Sequence, residues 1–393
     1  MPADTGAPAD TTLADMADKR RGRRRCGRRT TDVANLRPGL RVKQRWEIAR
    51  KLGEGGCGAV YEVTALEPVN AGKTSSSDLS SGTPTRQTVG NGSEDESSSR
   101  RQRRFAMKLE AVHRSKDTVL RMEYIILRRL NRKEQYRRHC CRVFEHGHEL
   151  DYLYLVMSLV GPSLSELRRR QPGGRLSLRT TLKVAIETLV ALRNLHDAGF
   201  IHRDLKPSNL AIGCGGASAT ARHRIYLIDF GLARCYAKRW LADGTPVMRR
   251  PRERVGFRGT TCYCSPTLHA RMEQCRRDDL WSMVFTLIEL HVGLPWGELK
   301  HKDDIVDMKT SLTDKELCQD LPEQFVHILV NIKTLDYYTR PDYNGIYRLL
   351  RRVMRERGYS KADPFDWDIE RTPSMVGKMK RRLLAAHSFS DIA

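Results

Sequence analysis

Apolar and polar positions fall into a regular order from Trp46 onward. Before it, residues 1–45 carry Pro, Gly, Asp and Thr and then a run of arginine, and read as a disordered basic tail. The stretch Lys51-Leu52-Gly53-Glu54-Gly55-Gly56-Cys57-Gly58-Ala59-Val60-Tyr61-Glu62-Val63 predicts a strand, a glycine turn and a returning strand. Residues 65–104 are rich in Ser, Gly and Thr and read as a flexible insertion in a hairpin, tolerable because loop-closure entropy grows slowly with length. Phe105-Ala106-Met107-Lys108-Leu109 predicts a third strand, and Val119, Met122, Glu123, Ile126 and Leu130 share one face of a helix. A short apolar strand, Leu153-Tyr154-Leu155-Val156-Met157, precedes Gly161-Pro162.

Beyond that point the period changes to that of helices. Leu182, Ala185, Ile186, Leu189 and Val190 form one stripe; others run through Leu280–Val292 and through Phe325, Ile328, Leu329 and Ile332. These stripes are core rather than ligand boxes. The expectation is an α+β chain of two lobes: a small β-rich lobe over 46–157, a connector at 158–161 and a larger α-helical lobe over 162–370. A C-terminal extension would occupy 371–393.

Composition narrows this picture. The 393 residues are 39% hydrophobic and 30% charged, which suits a folded core with polar tails. No apolar run approaches the ~20 residues that span a bilayer, and residues 1–18 lack the apolar block of a signal peptide. An intracellular chain, cytoplasmic or nuclear, is expected, with its ten cysteines reduced and unpaired. His139, Cys140, Cys141, His146 and His148 could be zinc ligands or a strand-turn segment rich in those types. The net charge of +23 is concentrated in part in the arginine run at 19–29, which could bind an anionic partner or be a solvated tail. A monomer is the default expectation.

Two runs carry the chemistry: His202-Arg203-Asp204-Leu205-Lys206-Pro207-Ser208-Asn209 and Asp229-Phe230-Gly231. Asp204 can orient a hydroxyl and accept its proton, and Lys206 can meet a transferred phosphoryl group. Asn209 and Asp229 offer oxygen ligands for magnesium. The turn Gly53-x-Gly55-x-x-Gly58 lets backbone amides approach polyphosphate. It is followed by Val60 and a strand rather than a helix, which argues against a dinucleotide fingerprint. Lys108, among apolar strand neighbours, needs a counter-charge; Glu123 is the natural partner and Glu110 a rival. An apolar adenine pocket would draw on Leu52, Val60, Ala106, Met157, Leu159, Ala211 and Ile228, although each could be plain core. Together these features imply ATP and Mg²⁺.

With these motifs the chain resembles the eukaryotic protein kinases, in particular the casein kinase I group and, within it, the tau-tubulin kinase family. Further stretches carry the likeness over roughly residues 46–370: Val160-Gly161-Pro162-Ser163-Leu164, Gly256-Phe257-Arg258-Gly259-Thr260, Arg276-Arg277-Asp278-Asp279-Leu280-Trp281-Ser282, Leu335-Asp336-Tyr337-Tyr338-Thr339-Arg340-Pro341 and Asp363-Pro364-Phe365-Asp366-Trp367. The resemblance implies a two-lobed protein kinase fold and transfer of the γ-phosphate of ATP to Ser/Thr hydroxyls of proteins. It also implies that Asp279 braces the catalytic loop and that Thr260 contacts Asp204 and Lys206.

One departure bears on substrates. Cys262 stands where the group carries an arginine for a pre-phosphorylated substrate, and a thiol cannot form the bidentate fork that holds phosphate. Arg249, Arg250, Arg252, Arg254 and Arg258 keep the segment basic, so acidic or phosphorylated protein substrates remain expected. The alternative is a catalytically weak, pseudokinase-type scaffold that binds protein partners.

Overall fold

The computed structural model describes residues 32–55, 58–66, 103–112, 118–214, 222–242 and 244–369. The arginine run at 19–29, nearly all of the 65–104 insertion and the extension after 370 lie outside the described residues.

The first lobe is an antiparallel sheet of six strands: β1 (Arg41–Val42), β2 (Trp46–Gly55), β3 (Gly58–Ala65), β4 (Arg104–Ala111), β5 (Val143–Glu149) and β6 (Tyr152–Ser158). Their spatial order is β1-β2-β3-β4-β6-β5. Strand alternation decides which side each residue serves. On β4, Phe105, Met107 and Leu109 join Trp46, Ile48, Tyr61 and Val63 in a core on one face. Ala106 belongs to the larger core that extends into the second lobe. Lys108 shares the face of Ala106, so the alternation that buries three apolar residues on one side aims the lysine between the lobes.

Residues 32–45, expected as tail, are part of this lobe. Val33 and Val42 are buried against the sheet, and Val42 pairs with Trp46 in the ladder. The Tyr61 hydroxyl donates to the Val33 carbonyl at 2.9 Å and accepts from the Leu36 amide at 3.1 Å. Two isolated valines give no periodic signal, yet they cover apolar area that the sheet would otherwise expose.

Helix α1 (Val119–Asn131) lies across the sheet. Its inward residues are Leu120, Glu123, Ile126, Leu127 and Leu130, whereas Met122 is exposed; the buried face is rotated from the expected one toward Leu120 and Leu127. A short helix α2 (Glu134–Arg137) follows. Ser158 ends β6 and Val160 begins β7 (Val160–Ser163), so the connector passes directly into a strand that opens the second lobe.

That lobe is helical: α3 (Leu164–Arg169), α4 (Leu178–Asp197), α5 (Pro266–His269), α6 (Arg276–His291), α7 (Lys302–Ser311), α8 (Asp314–Leu317), α9 (Gln324–Lys333) and α10 (Tyr343–Glu356). The hydroxyls of Ser163 and Ser177 cap α3 and α4 by accepting from the amides of Glu166 and Thr180. Leu182, Leu189 and Leu192 of α4 share a core with Leu280, Val284 and Leu287 of α6. Small strands lie above them: β8 (Phe200–Ile201), β9 (Leu210–Gly213), β10 (Ile225–Leu227), β11 (Arg234–Cys235), β12 (Ala237–Trp240) and β13 (Pro246–Met248). β8 pairs with β11, and β9 lies between β7 and β10. Among the described residues, no helix is long and apolar enough to cross a membrane.

Tyr61→Phe should leave the Val33 carbonyl and the Leu36 amide without their shared partner and cost about 1–2 kcal/mol. Urea denaturation with a lowered midpoint and unchanged slope, together with faster proteolysis within 32–40, is the expected result.

Candidate active site between the lobes

The glycine hairpin forms the upper wall. A Cβ added at Gly53 or Gly55 would meet nothing within 4 Å, so both positions border open space. Gly58 is different: its φ is +132° and a Cβ there would lie 1.9 Å from the Leu109 carbonyl oxygen. The third glycine therefore permits close contact with β4 rather than approach to a ligand.

Below it, Lys108 Nζ lies 2.7 Å from Glu123 Oε2 and 2.9 Å from Asp229 Oδ1. Glu110 is no rival, because its carboxylate accepts from the Val119 and Leu120 amides (3.1 and 2.6 Å) and fixes the start of α1. Burial alone would depress the Lys108 pKa, but the charges and hydrogen bonds of Glu123 and Asp229 outweigh it and hold it above its ordinary value. Burial would raise the Asp229 pKa; the charge and bond of Lys108 leave it below the usual carboxylate value.

The loop 202–209 is bent around Asp279, a buried carboxylate in the first turn of α6. Its Oδ2 accepts from the His202 amide (2.7 Å) and from His196 Nε2 (2.9 Å), and its Oδ1 from the Arg203 amide (2.8 Å). Arg203 takes a φ of 68°, and its Nε donates to the Leu232 carbonyl at 2.6 Å. Burial would raise the Asp279 pKa, but the bonds and charge of His196, with the His202 amide and ring, hold it below the ordinary value.

Asp204, Lys206 and Asn209 converge at the loop's tip. The Thr260 hydroxyl donates to Asp204 Oδ1 at 2.7 Å and accepts from Lys206 Nζ at 2.9 Å. Lys206 Nζ is also 2.9 Å from Asp204 Oδ2. Asn209 Nδ2 donates to the Asp204 backbone carbonyl at 2.8 Å and to Oδ2 at 3.3 Å. Thr260 gets this close because its neighbour is Gly259, with φ +120°: a Cβ there would lie 2.6 Å from the Arg203 carbonyl oxygen. The Ile228 amide donates to the Asn209 carbonyl at 3.0 Å, which joins the loop to the strand leading into Asp229. Phe230 is buried with its ring 5.4 Å from that of His202.

The donor set fits magnesium, since a carboxylate at 229 and an amide oxygen at 209 are hard oxygen ligands. Asn209 spends its nitrogen on Asp204, which leaves its oxygen as the atom to hold a cation. Among the adenine-pocket residues, Ala106 and Met157 are cross-strand partners in the buried cluster against which Val60, Leu159 and Ile228 pack. Ala211 is buried and pairs with Ser163 on β7. Leu52 is exposed, on β2 just before the glycine turn.

Other groups escaped sequence reasoning. Lys309 of α7 donates to the Thr261 and Cys264 carbonyls at 2.6 and 2.8 Å, and Trp296 Nε1 donates to the Cys262 carbonyl at 3.0 Å. They hold the segment just after Thr260 through its backbone. Burial pushes the Lys309 pKa down to about 8. Glu273 takes Arg252 (3.0 Å) and Arg234 (3.4 Å), so of the five segment arginines Arg252 is paired. Arg249, Arg250, Arg254 and Arg258 are exposed. His139 bonds the Ile225 carbonyl at 2.9 Å, Cys140 and Cys141 are buried, and among the described residues no three or more His, Cys, Asp or Glu side chains group so as to hold a metal ion.

A β-sheet lobe, a helical lobe and this loop between them define the two-lobed protein kinase fold. The protein kinase domain family matches residues 85–348, and the chain belongs to that family. The glycine hairpin precedes the matched stretch. A probable serine/threonine-protein kinase of Dictyostelium discoideum is 37% identical over 333 residues, 84% of this chain and 58% of the relative's length. A putative serine/threonine-protein kinase of Caenorhabditis elegans is 35% identical over 336 residues, covering 86% of this chain and 85% of its own. An inactive tau-tubulin kinase of C. elegans is 33% identical over 229 residues, 57% of this chain and 79% of its own.

Asp279→Asn tests the brace. The depressed carboxylate pKa contributes stability that is present above the unfolded value near 4 and is lost as pH falls through the folded value. At pH 7 the variant should be about 3 kcal/mol less stable. Denaturation across pH 2–7 should give it a shallower acid decline than the parent.

Proposed function

We propose that the chain is a serine/threonine protein kinase that transfers the γ-phosphate of ATP, with Mg²⁺, to hydroxyls of acidic or phosphorylated proteins. Within the kinases we read it as nearest the casein kinase I group and its tau-tubulin kinases, a reading that the stretches carrying that resemblance support. The observation that supports activity most directly is the coexistence of two assemblies: Lys108 paired with Glu123, and Asp204 held by Thr260, Lys206 and Asn209. Protein kinases need the first in place to hold nucleotide phosphates and the second to direct the attacking hydroxyl.

In this reading Asp204 Oδ2 orients the substrate hydroxyl and takes its proton as the new bond forms. Lys206 offsets charge on the transferred group, and Lys108 holds the α- and β-phosphates. Mg²⁺ bound by Asn209 and Asp229 would neutralise phosphate charge. Leu205-Lys206-Pro207-Ser208-Asn209 favours Ser/Thr over Tyr as acceptor. Four exposed arginines beside the loop support an acidic substrate; Cys262, with its carbonyl tied to Trp296, offers no fork for a priming phosphate.

Asp204→Asn should lower transfer to protein substrates by about 10³-fold or more while Mg-ATP affinity holds. Transfer at the parent's rate would overturn the assignment. A parent that binds Mg-ATP without transfer would favour the scaffold reading instead. On a peptide array, acidic sequences should exceed neutral ones; equal rates would remove the acidic preference.

A further inference from the structure

Helix α1 positions Glu123 and is itself held at three levels. Glu110 takes its first amides, and Lys108 takes Glu123. At the last turn, the Arg129 guanidinium carbon lies 4.1 Å from the centroid of the Trp240 ring. Trp240 ends β12, in the segment that follows Asp229-Phe230-Gly231.

The tryptophan is anchored on the helical lobe. A Cβ at Gly199 would lie 2.6 and 2.7 Å from Trp240 Cζ2 and Cη2, so the ring rests on bare glycine backbone. The Gly199 carbonyl accepts from the Tyr236 and Ala237 amides at 3.0 and 3.4 Å, and the Tyr236 hydroxyl donates to the His196 carbonyl at 2.6 Å. Ile201, Tyr236 and Ala237 form a small buried core against which Trp240 packs. The platform is thus continuous with β8, which leads into His202 and Asp204.

The surroundings make an aromatic ring the fitting contact. The end of α1 and its exit carry exposed Arg128, Arg132 and Lys133, and β12 exposes Lys238 and Arg239. Bare cations on both sides would repel, whereas a tryptophan face attracts a guanidinium without adding charge.

We propose that Arg129 and Trp240 form a clamp between the lobes that keeps α1 where Glu123 meets Lys108, which makes Trp240 a positioning residue for the phosphate-holding ion pair. The proposal rests on the kinase reading, because the ion pair matters through the nucleotide it holds. The test uses the full chain and two readouts independent of turnover: hydrogen exchange of the α1 amides, and Mg-ATP affinity by equilibrium titration. Trp240→Ala and Arg129→Leu should speed exchange across 119–131, leave α6 unchanged, and weaken Mg-ATP binding about fivefold, whereas Arg129→Lys, which keeps the cation, should stay near the parent. In a Glu123→Gln background, adding Trp240→Ala should weaken binding no further.

Unchanged α1 exchange in Trp240→Ala would overturn the clamp. So would a loss of affinity that adds in full to that of Glu123→Gln, since the tryptophan would then act by another route. A parent that binds no Mg-ATP would sink the kinase reading and, with it, the ion pair's role; a parent that binds it no better than Trp240→Ala sinks the clamp alone.

Discussion

The burial of Asp279 is the constraint on which the site depends. A carboxylate removed from water is tolerable only where donors surround it. Here the donors are the amides of His202 and Arg203 and the ring of His196. To present two successive amides to one carboxylate, the backbone takes a left-handed turn at Arg203. Such a conformation costs on the order of 1–3 kcal/mol. Leaving a buried charge unpaired costs about 3–5 kcal/mol, so the brace outweighs the strain it imposes. Asp204 points where it does because its two predecessors are committed to Asp279.

Lys108 obeys the same rule with the sign reversed, but its two partners are unequal. The Glu123 side chain is 3% exposed and that of Asp229 is 50% exposed. Solvent screens the second contact and not the first. Lys108–Glu123 is therefore the persistent bond, fixed by the sheet and α1. Lys108–Asp229, the more exposed of the two, is the contact that can yield. The glycine at 231 belongs to the same arrangement, since a Cβ there would lie 2.8 Å from Val119 of α1.

What the sequence made legible was local. The run 202–209 and the triplet 229–231 hold their chemistry within a few residues, and the pairing of Lys108 with Glu123 follows from one buried cation and one helix face. Thr260 and Asp279 were reachable only through family likeness, because they meet the loop across 56 and 77 residues. Lys309 and Trp296 were not legible at all: their partners are backbone carbonyls, which every residue carries. The inward face of α1 differs at its edge for a related reason. Glu123, Ile126 and Leu130 are inward as expected, but Val119 and Met122 satisfy helical spacing as well as Leu120 and Leu127 do, and only the sheet beneath decides between them. Val33 and Val42 were missed because one lies in an irregular segment and the other in a two-residue strand, neither of which shows a period.

The charges around the segment 249–264 sort themselves by the same physics. Two cations are already engaged: Arg252, half-exposed, with Glu273, and Lys309, buried, with the carbonyls of Thr261 and Cys264. Buried or paired, they cannot take up a substrate phosphate without breaking the contacts that hold the segment. Exposed besides the paired Arg252 are Arg249, Arg250, Arg254 and Arg258. Dispersed exposed charge attracts over about a Debye length, ~8–10 Å, and discriminates little between carboxylate and phosphate. On the proposed kinase reading, selection would rest on the acidity of a stretch rather than on one phosphorylated residue. This is consistent with a thiol at 262 being tolerated where a guanidinium would be needed for primed recognition.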